Sequence, residues 1–379
     1  MKRTGPDYEW VDTPAKLLKT AEALGRVRVI GVDQESDSLF HYPEKVCLVQ
    51  LASEDRTFVL DPLTLKDLSP LRPLFADPTI RKVFHGADYD VRSLHRDFGF
   101  EVHHLFDTQL ACQFLGMAET GLEAVLRSRF QVTLNKKFQR ADWSKRPLSR
   151  EMVEYASLDG RYLIPLARML EKELKEKGRL AWVEEECRHL ARVRFAPASG
   201  APLFMKVKGA GRLDPRGLAV LETLLRIREE EALRLDIPPF KVLRNEVLLA
   251  LAEKRPQTLK ELTALKVMSP KETDRFGKIL LNGIHRGMAV PEKELPRYPR
   301  SSPSPLPDRV RKRIARLKEW RERRAGELGL EPGILINNTL IEALAVHHPR
   351  GLKELVEVPG MKGWLVDHFG EELLQVLEG

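Results

Sequence analysis

Asp33 and Glu35 close an apolar run, VRVIGVDQES, two residues apart. In a strand, positions i and i+2 share a face about 7 Å apart. Two carboxylates at that separation repel by about 2–3 kcal/mol at an effective dielectric of 20. Asp90 lies in VFHGADYDVRSL, at a turn from strand to helix. In MVEYASLDGRYLIPL, Tyr155 and Asp159 fall at i and i+4, on one face of a helix. Each feature alone has a plainer explanation: a strand end in solvent, an acid favouring a helix N-terminus, a surface pair. Asp88 rivals Asp90 and stands nearer to an N-cap position. Four carboxylates converging on one point need a cation, and hard oxygen ligands suit Mg²⁺ or Mn²⁺. Two such ions about 4 Å apart clamp the attacking and leaving oxygens of a phosphodiester. A tyrosine hydroxyl beside them would orient the attacking water.

Those residues must be positioned by an α/β scaffold. RVRVIGV (26–32), VCLVQL (46–51), TFVLD (57–61) and RKVFH (81–85) read as strands, and FEVHHLFD (100–107) adds a short fifth. LKDLSPLRPLF (65–75) and DYDVRSLHRDFG, ending at Gly99, read as helices. From 108 to about 194 the pattern is helical. A mixed sheet followed by packed helices is expected.

The C-terminal half holds an internal duplication. Residues 239–262 align without gaps onto 332–355 with ten of 24 positions identical, and the offset of 93 sets Leu221, Leu224 and Ile227 over Ile314, Leu317 and Trp320. Each copy reads as amphipathic helices around a small core, too long in period for a solenoid. VPEKELPRYPRSSPSPLPD (290–308) is the linker between them, and 196–214 holds the first boundary.

The chain has 379 residues, 42% hydrophobic and 31% charged, with a net charge of +8. That length accommodates two or three domains, and the basic balance favours a polyanionic partner. Cys47, Cys112 and Cys187 are odd in number and form no CxxC pair, so disulfides and thiolate zinc sites are not expected, and a reducing cytosol fits. The N-terminus has no apolar stretch of signal-peptide type. No apolar run is long enough to span a membrane.

The segments DQE, HGADYD and YASLD resemble the three exonuclease motifs of the DEDD superfamily, tyrosine subclass, on a ribonuclease H-like fold. The likeness extends through FDTQLA (106–111) and FQRADWSKRPLSREMVEYASLD (138–159), the latter closely similar to the ribonuclease D family. The two C-terminal copies resemble HRDC domains. The resemblance implies a nuclease domain over 1–200, helical HRDC-like domains over 209–289 and 308–379, and a linker over 290–307. It implies Asp33, Glu35, Asp90 and Asp159 as ligands of two divalent cations, Mg²⁺ or Mn²⁺, with Tyr155 positioning the water. The implied reaction is cleavage of RNA from single-stranded 3′ ends to 5′-mononucleotides, with precursor tRNA as a substrate and the cytoplasm as the compartment. Gln34 departs from the threonine frequent between the two acids, and its side chain is expected to point away from the metals on the opposite strand face, leaving activity intact. The rivals are a 3′→5′ DNA exonuclease and a non-catalytic RNA-binding protein keeping the fold. No P-loop accompanies the motifs, which argues against a helicase.

Further candidates are weaker. Asp107 reads as a helix cap rather than a fifth ligand, and His85 as either a cleft or a core histidine. His103–His104 and His347–His348 have no partners at metal-ligand spacing. The basic segment 135–150 offers Lys136, Lys137, Arg140, Lys145 and Arg146, with Phe138 and Trp143 among them, for gripping an RNA backbone. A solvated basic loop around a buried tryptophan is the alternative. The helix RVRKRIARLKEWRERR (309–324) carries an apolar stripe of Val310, Ile314, Leu317 and Trp320, so its basic face is expected outward.

Overall fold

Six strands form one mixed sheet in the order β1-β4-β3-β2-β5-β6. They are β1 (Glu9–Val11), β2 (Val29–Ser36), β3 (Val46–Ala52), β4 (Thr57–Leu60), β5 (Arg81–Phe84) and β6 (Leu105–Asp107). β2, β3 and β4 pair antiparallel, whereas β1 runs parallel to β4, and β5 and β6 continue parallel from β2. The structure, a computed structural model, describes residues 8–133, 136–196, 200–299 and 306–379, without the side chains of Lys136 and Asp159. Part of the expected 290–307 linker therefore lies outside the described residues.

Counting helices of two turns or more, α1 (Pro14–Leu24), α2 (Asp88–Phe98), α3 (Thr108–Leu115), α4 (Leu122–Phe130), α5 (Arg150–Glu176) and α6 (Leu180–Leu190) accompany the sheet. β1 was not anticipated, because a three-residue edge strand has no periodicity to read. The single helix expected over 65–75 is instead broken into Pro62–Leu65, a 3₁₀ turn at Ser69–Leu71, and Arg72–Ala76. Pro70 and Pro73 each lack the N–H that a continuous helix requires.

α5 crosses β2, β3 and β4 on one face of the sheet. The approach is close: a Cβ at Gly31 would lie 2.5 Å from the Gly160 carbonyl oxygen and 3.3 Å from Leu163 Cβ. Glycine in the middle of β2 therefore lets α5 lie directly on the strand that carries the first two acids.

The chain divides into two compact units. One comprises Met1–Ser36, Val46–Phe195 and Ser304–Gly379; the other comprises Asp37–Lys45 and Ala196–Pro303. In the second unit, α7 (Pro215–Leu235), α8 (Asn245–Lys254) and α9 (Pro270–Met288) build the first helical copy. α10 (Asp308–Leu328), α11 (Asn338–His347) and α12 (Gly363–Glu378) repeat it in the first unit, each starting 93 residues later. The loop 37–45, between β2 and β3, packs with the first copy. There Tyr42 donates its hydroxyl to Glu229, Asp236 accepts the Tyr42 backbone N–H at 3.2 Å, and Lys241 lies 4.6 Å from the Phe40 ring centre.

The second copy shares a core with the nuclease helices. Trp182 of α6 stacks on Trp364 of α12 at 4.7 Å and 19°, and Phe114 of α3 meets Trp364 edge-on at 5.6 Å. The basic face of α10 does not simply point outward. Arg313 and Arg316 donate to the carbonyls of Ala345 and Leu377, at the ends of α11 and α12, and Arg324 pairs with Glu372. Orphan C-terminal carbonyls attract these guanidinium groups. Among the described residues, no helix is long and apolar enough to cross a membrane.

Candidate active site

A cleft of about 610 Å³ opens beside the centre of the sheet, with Asp33, Gln34, Glu35, His85, Tyr155 and Leu163 on its wall. Asp33 and Glu35 leave the same face of β2 as Gly31, the face that α5 covers. A β-bulge between Glu35 and Ser36 ends the regular pairing with β3. Bulges bend a strand and re-aim its side chains, here just past the two acids. On α5, Tyr155 and Leu163 both reach the cleft, and Asp159 sits between them at i+4 on the same helical face. Its side chain is outside the described residues.

Tyr155 is fixed through its ring. Trp143 stacks against it at 6.2 Å and 26°, and Phe138 meets it at 5.7 Å and 60°. Leu48 and Val59 of the sheet complete this small core with Val153 and Ala156. The aromatics of the basic segment thus serve first to hold the tyrosine.

Asp90 faces the same centre from α2. Burial raises its carboxyl well above the usual range, and the charges of Asp33 and Asp107 add to the effect. Asp33 is pushed up to about 6, chiefly by burial. Asp88, by contrast, is on the surface and pairs with Arg92 at 2.8 Å. Geometry therefore favours Asp90 of the two. Gln34, expected on the opposite strand face and away from the metals, instead lines the cleft and reaches the second acidic segment. Its amide donates to Ser93 on α2 and hydrogen-bonds the Asp90 carboxylate. It ties the first acidic segment to the second.

Asp107 caps α3, accepting the N–H groups of Gln109 at 2.7 Å and Leu110 at 3.2 Å. It also accepts those of Gly86 at 3.0 Å and Ala87 at 2.7 Å. One buried carboxylate thereby holds the turn from which Asp90 departs. His85 lines the cleft, bonded through Nδ1 to Thr108 Oγ1 at 2.9 Å, and burial pushes its pKa down. His103–His104 and His347–His348 are not on the cleft wall.

The basic segment divides. Arg146 is a structural arginine: it holds Asp61 through Nε at 2.8 Å and Nη2 at 2.6 Å, and donates to the carbonyls of Cys47, Trp143 and Lys145. A guanidinium so engaged has no face left for phosphate, which corrects the expectation for this residue. Lys145 stays mostly exposed 3.7 Å from Asp142, Lys137 pairs with Glu151 at 3.1 Å, and Arg140 is exposed. The Lys136 side chain lies outside the described residues.

Sequence reading missed the far wall, Glu119 to Arg127 with Gln139. Arg127 there pairs with Glu123 at 3.3 Å and Glu119 at 3.6 Å. Carboxylates thus outnumber cationic groups on the cleft wall, so the bare cleft repels a phosphate and attracts a cation.

The donor set fits hard divalent ions: desolvated carboxylates in one another's field are what such an ion relieves. Among the described residues, no three His, Cys, Asp or Glu side chains form a ready metal group. The side chain of Asp159, the fourth acid, is not among the described residues.

Comparison with known proteins agrees with this geometry. A 3′-5′ exonuclease family profile matches residues 8–175, and HRDC domain profiles match 217–284 and 310–377. Ribonuclease D of Pseudomonas paraeruginosa is 30% identical over 99% of both chains. The chain belongs to the ribonuclease D family. The crystal structure of Escherichia coli RNase D, described as an exoribonuclease involved in structured RNA processing, superposes with a TM-score of 0.77 at 27% identity over 98% of both chains. The catalytic core of RRP6 from Trypanosoma brucei gives 0.65 at 30% identity, covering 76% of this chain and 81% of that one. Membership makes this protein a metal-dependent 3′→5′ exoribonuclease.

Proposed function

We propose that the protein shortens RNA one nucleotide at a time from a single-stranded 3′ end, with Asp33, Glu35, Asp90 and Asp159 holding two divalent cations and Tyr155 orienting water. The observation that carries this reading is the meeting of Asp33, Glu35 and Tyr155 on one cleft, with Asp90 electrostatically coupled to Asp33. Bound Mg²⁺ or Mn²⁺ supplies a lowered water pKa and neutralises charge on the attacking and leaving oxygens. The carboxylates set where that charge lies. The Tyr155 hydroxyl, on a clamped ring, hydrogen-bonds the water and aims it at the terminal phosphorus. Water adds to phosphorus, the P–O3′ bond breaks, and a 5′-mononucleotide and a new 3′-hydroxyl result.

Residues 1–200 form the catalytic domain in this reading. The helical domains at 209–289 and 308–379 add contacts to the RNA backbone, whose affinity falls with salt. Precursor tRNA in the cytoplasm is the substrate that fits the family.

The test compares 5′-labelled RNA and DNA of one sequence with Mg²⁺, Mn²⁺ or chelator, alongside Asp159→Asn. The expected result is a metal-dependent ladder receding from the RNA 3′ end and absent in the variant. Preferential shortening of DNA would assign a DNA substrate. Tight binding with no shortening of either would favour the non-catalytic reading.

A further inference from the structure

β3 reads VCLVQLA, and every residue in it is buried. Gln50 has no accessible surface, yet neither its Nε2 nor its Oε1 has a hydrogen-bond partner. A buried polar group left unpaired costs about 1–3 kcal/mol, and leucine or methionine would fill the same space without that penalty. The position of Gln50 indicates what the amide is for. It pairs directly with Asp33 across the β2–β3 ladder. Directly opposed residues point to the same face with Cβ atoms about 4.5–5.5 Å apart. That face lies under α5, where a Cβ at Gly160 would sit 3.7 Å from Gln50 Cβ. Leu48, Val59 and Ala156, which pack on the same face, are apolar. Of the two ladder partners of Gln50, Asp33 and Val59, Asp33 is the polar one. Its carboxylate accepts the Gln34 backbone N–H and has room for another donor.

We infer that Gln50 is a positioning residue for the metal site: its amide, unpaired in the structure, donates to the Asp33 carboxylate when that carboxylate turns to bind the cation. The inference rests on Asp33 being a ligand. Hydrogen bonds behind a metal ligand fix its orientation, and their loss typically lowers metal affinity about 10–100-fold. Gln50 touches neither substrate nor the reacting atoms in this role.

The test uses Gln50→Met, with Gln50→Leu as a second replacement should the first pack badly, in the full chain. Calorimetric titration of Mn²⁺ into RNA-free protein gives the affinity, and thermal unfolding in chelator gives stability without metal. The expected result is an unchanged or higher midpoint in chelator with Mn²⁺ affinity lowered about 10-fold or more. The Mn²⁺ concentration for half-maximal cleavage should rise by the same factor, while kcat at saturating Mn²⁺ stays within a few-fold of wild type. Wild-type Mn²⁺ affinity in both variants overturns the inference. So does a midpoint that falls in chelator in both, which would make Gln50 a packing residue. Asp33→Asn separates the two levels: if it binds Mn²⁺ as wild type does, the ligand assignment fails, whatever the Gln50 variants show.

Discussion

The Tyr155 ring is gripped by Trp143 and Phe138, so removing its hydroxyl should leave the ring in place. Tyr155→Phe is expected to lower kcat by about 10²–10³-fold, the loss typical of one positioned hydrogen-bond group. Calorimetric Mn²⁺ affinity should stay within a few-fold of wild type, and undiminished turnover would remove the tyrosine from the mechanism. Lys82 supports a second prediction, away from the cleft. It is fully buried in β5, donates to the carbonyls of Asp77 and Ile80 at 2.6 Å each, and burial pushes its pKa down to about 8. Unfolded, a lysine keeps its proton to about 10.4. Between these values the unfolded chain binds more protons, so the lysine's destabilising effect is full below pH 8 and fades as pH rises toward 10. The unfolding free energy of wild type relative to Lys82→Met should therefore climb by up to about 3 kcal/mol across that window, read from urea titrations at each pH. A constant difference would mean that Lys82 stays charged in the fold. Asp33, Glu35 and Tyr155, which share one cleft, were picked out by the resemblance of DQE and YASLD to the family motifs, each residue alone having a plainer explanation. Gln50 was not, since one amide in VCLVQLA looks incidental until its register with Asp33 is known. Nor could Arg146 be told from its basic neighbours before Asp61 was seen beside it.

Elements place these groups through contacts that local sequence does not encode. Strand and helix periodicities showed β2 to β6 and the long helix carrying Tyr155 and Asp159. β1 and the broken 62–76 segment were hidden, the one held by pairing with β4, the other interrupted by Pro70 and Pro73. The closeness of β2 to α5 was also invisible, although its cause is a single glycine. Gly31→Ala would drive a methyl group to 2.5 Å from the Gly160 carbonyl oxygen, a rigid backbone atom. The strand and helix must separate, at a cost of about 1–3 kcal/mol for overpacking. Because α5 carries Tyr155 and Asp159 while β2 carries Asp33 and Glu35, the same displacement should reduce cleavage more than RNA binding. Urea unfolding, with kcat and Kd measured on the folded variant, would check both parts. Wild-type stability and turnover would show that the interface yields without moving the site.

At the scale of the molecule, the two helical copies have diverged in how one helix begins. In the first copy α9 caps itself: Ser269 accepts the Glu272 N–H at 3.2 Å, and Glu272 accepts the Ser269 N–H at 2.7 Å. In the second, the equivalent position is Lys362, which provides no side-chain cap to α12. Glu185 of α6 accepts the Gly363 and Trp364 N–H groups instead, at 2.7 and 2.9 Å. A carboxylate at a helix N-terminus also meets the positive end of its dipole. The second copy is thus anchored to the nuclease by a helix start that its own sequence leaves uncapped, next to the Trp182–Trp364 stack. Alignment of the repeats could display the Ser269-to-Lys362 difference but not the partner that replaces the serine. Glu185→Ala should cost about 1–2 kcal/mol, the usual loss of a cap. Lys362→Ser, which restores a local cap, should cost less in the Glu185→Ala background than in wild type, where Lys362 also pairs with Glu186. A double-mutant cycle by urea unfolding measures that coupling. Strict additivity would show that Glu185 does not act as the cap of α12.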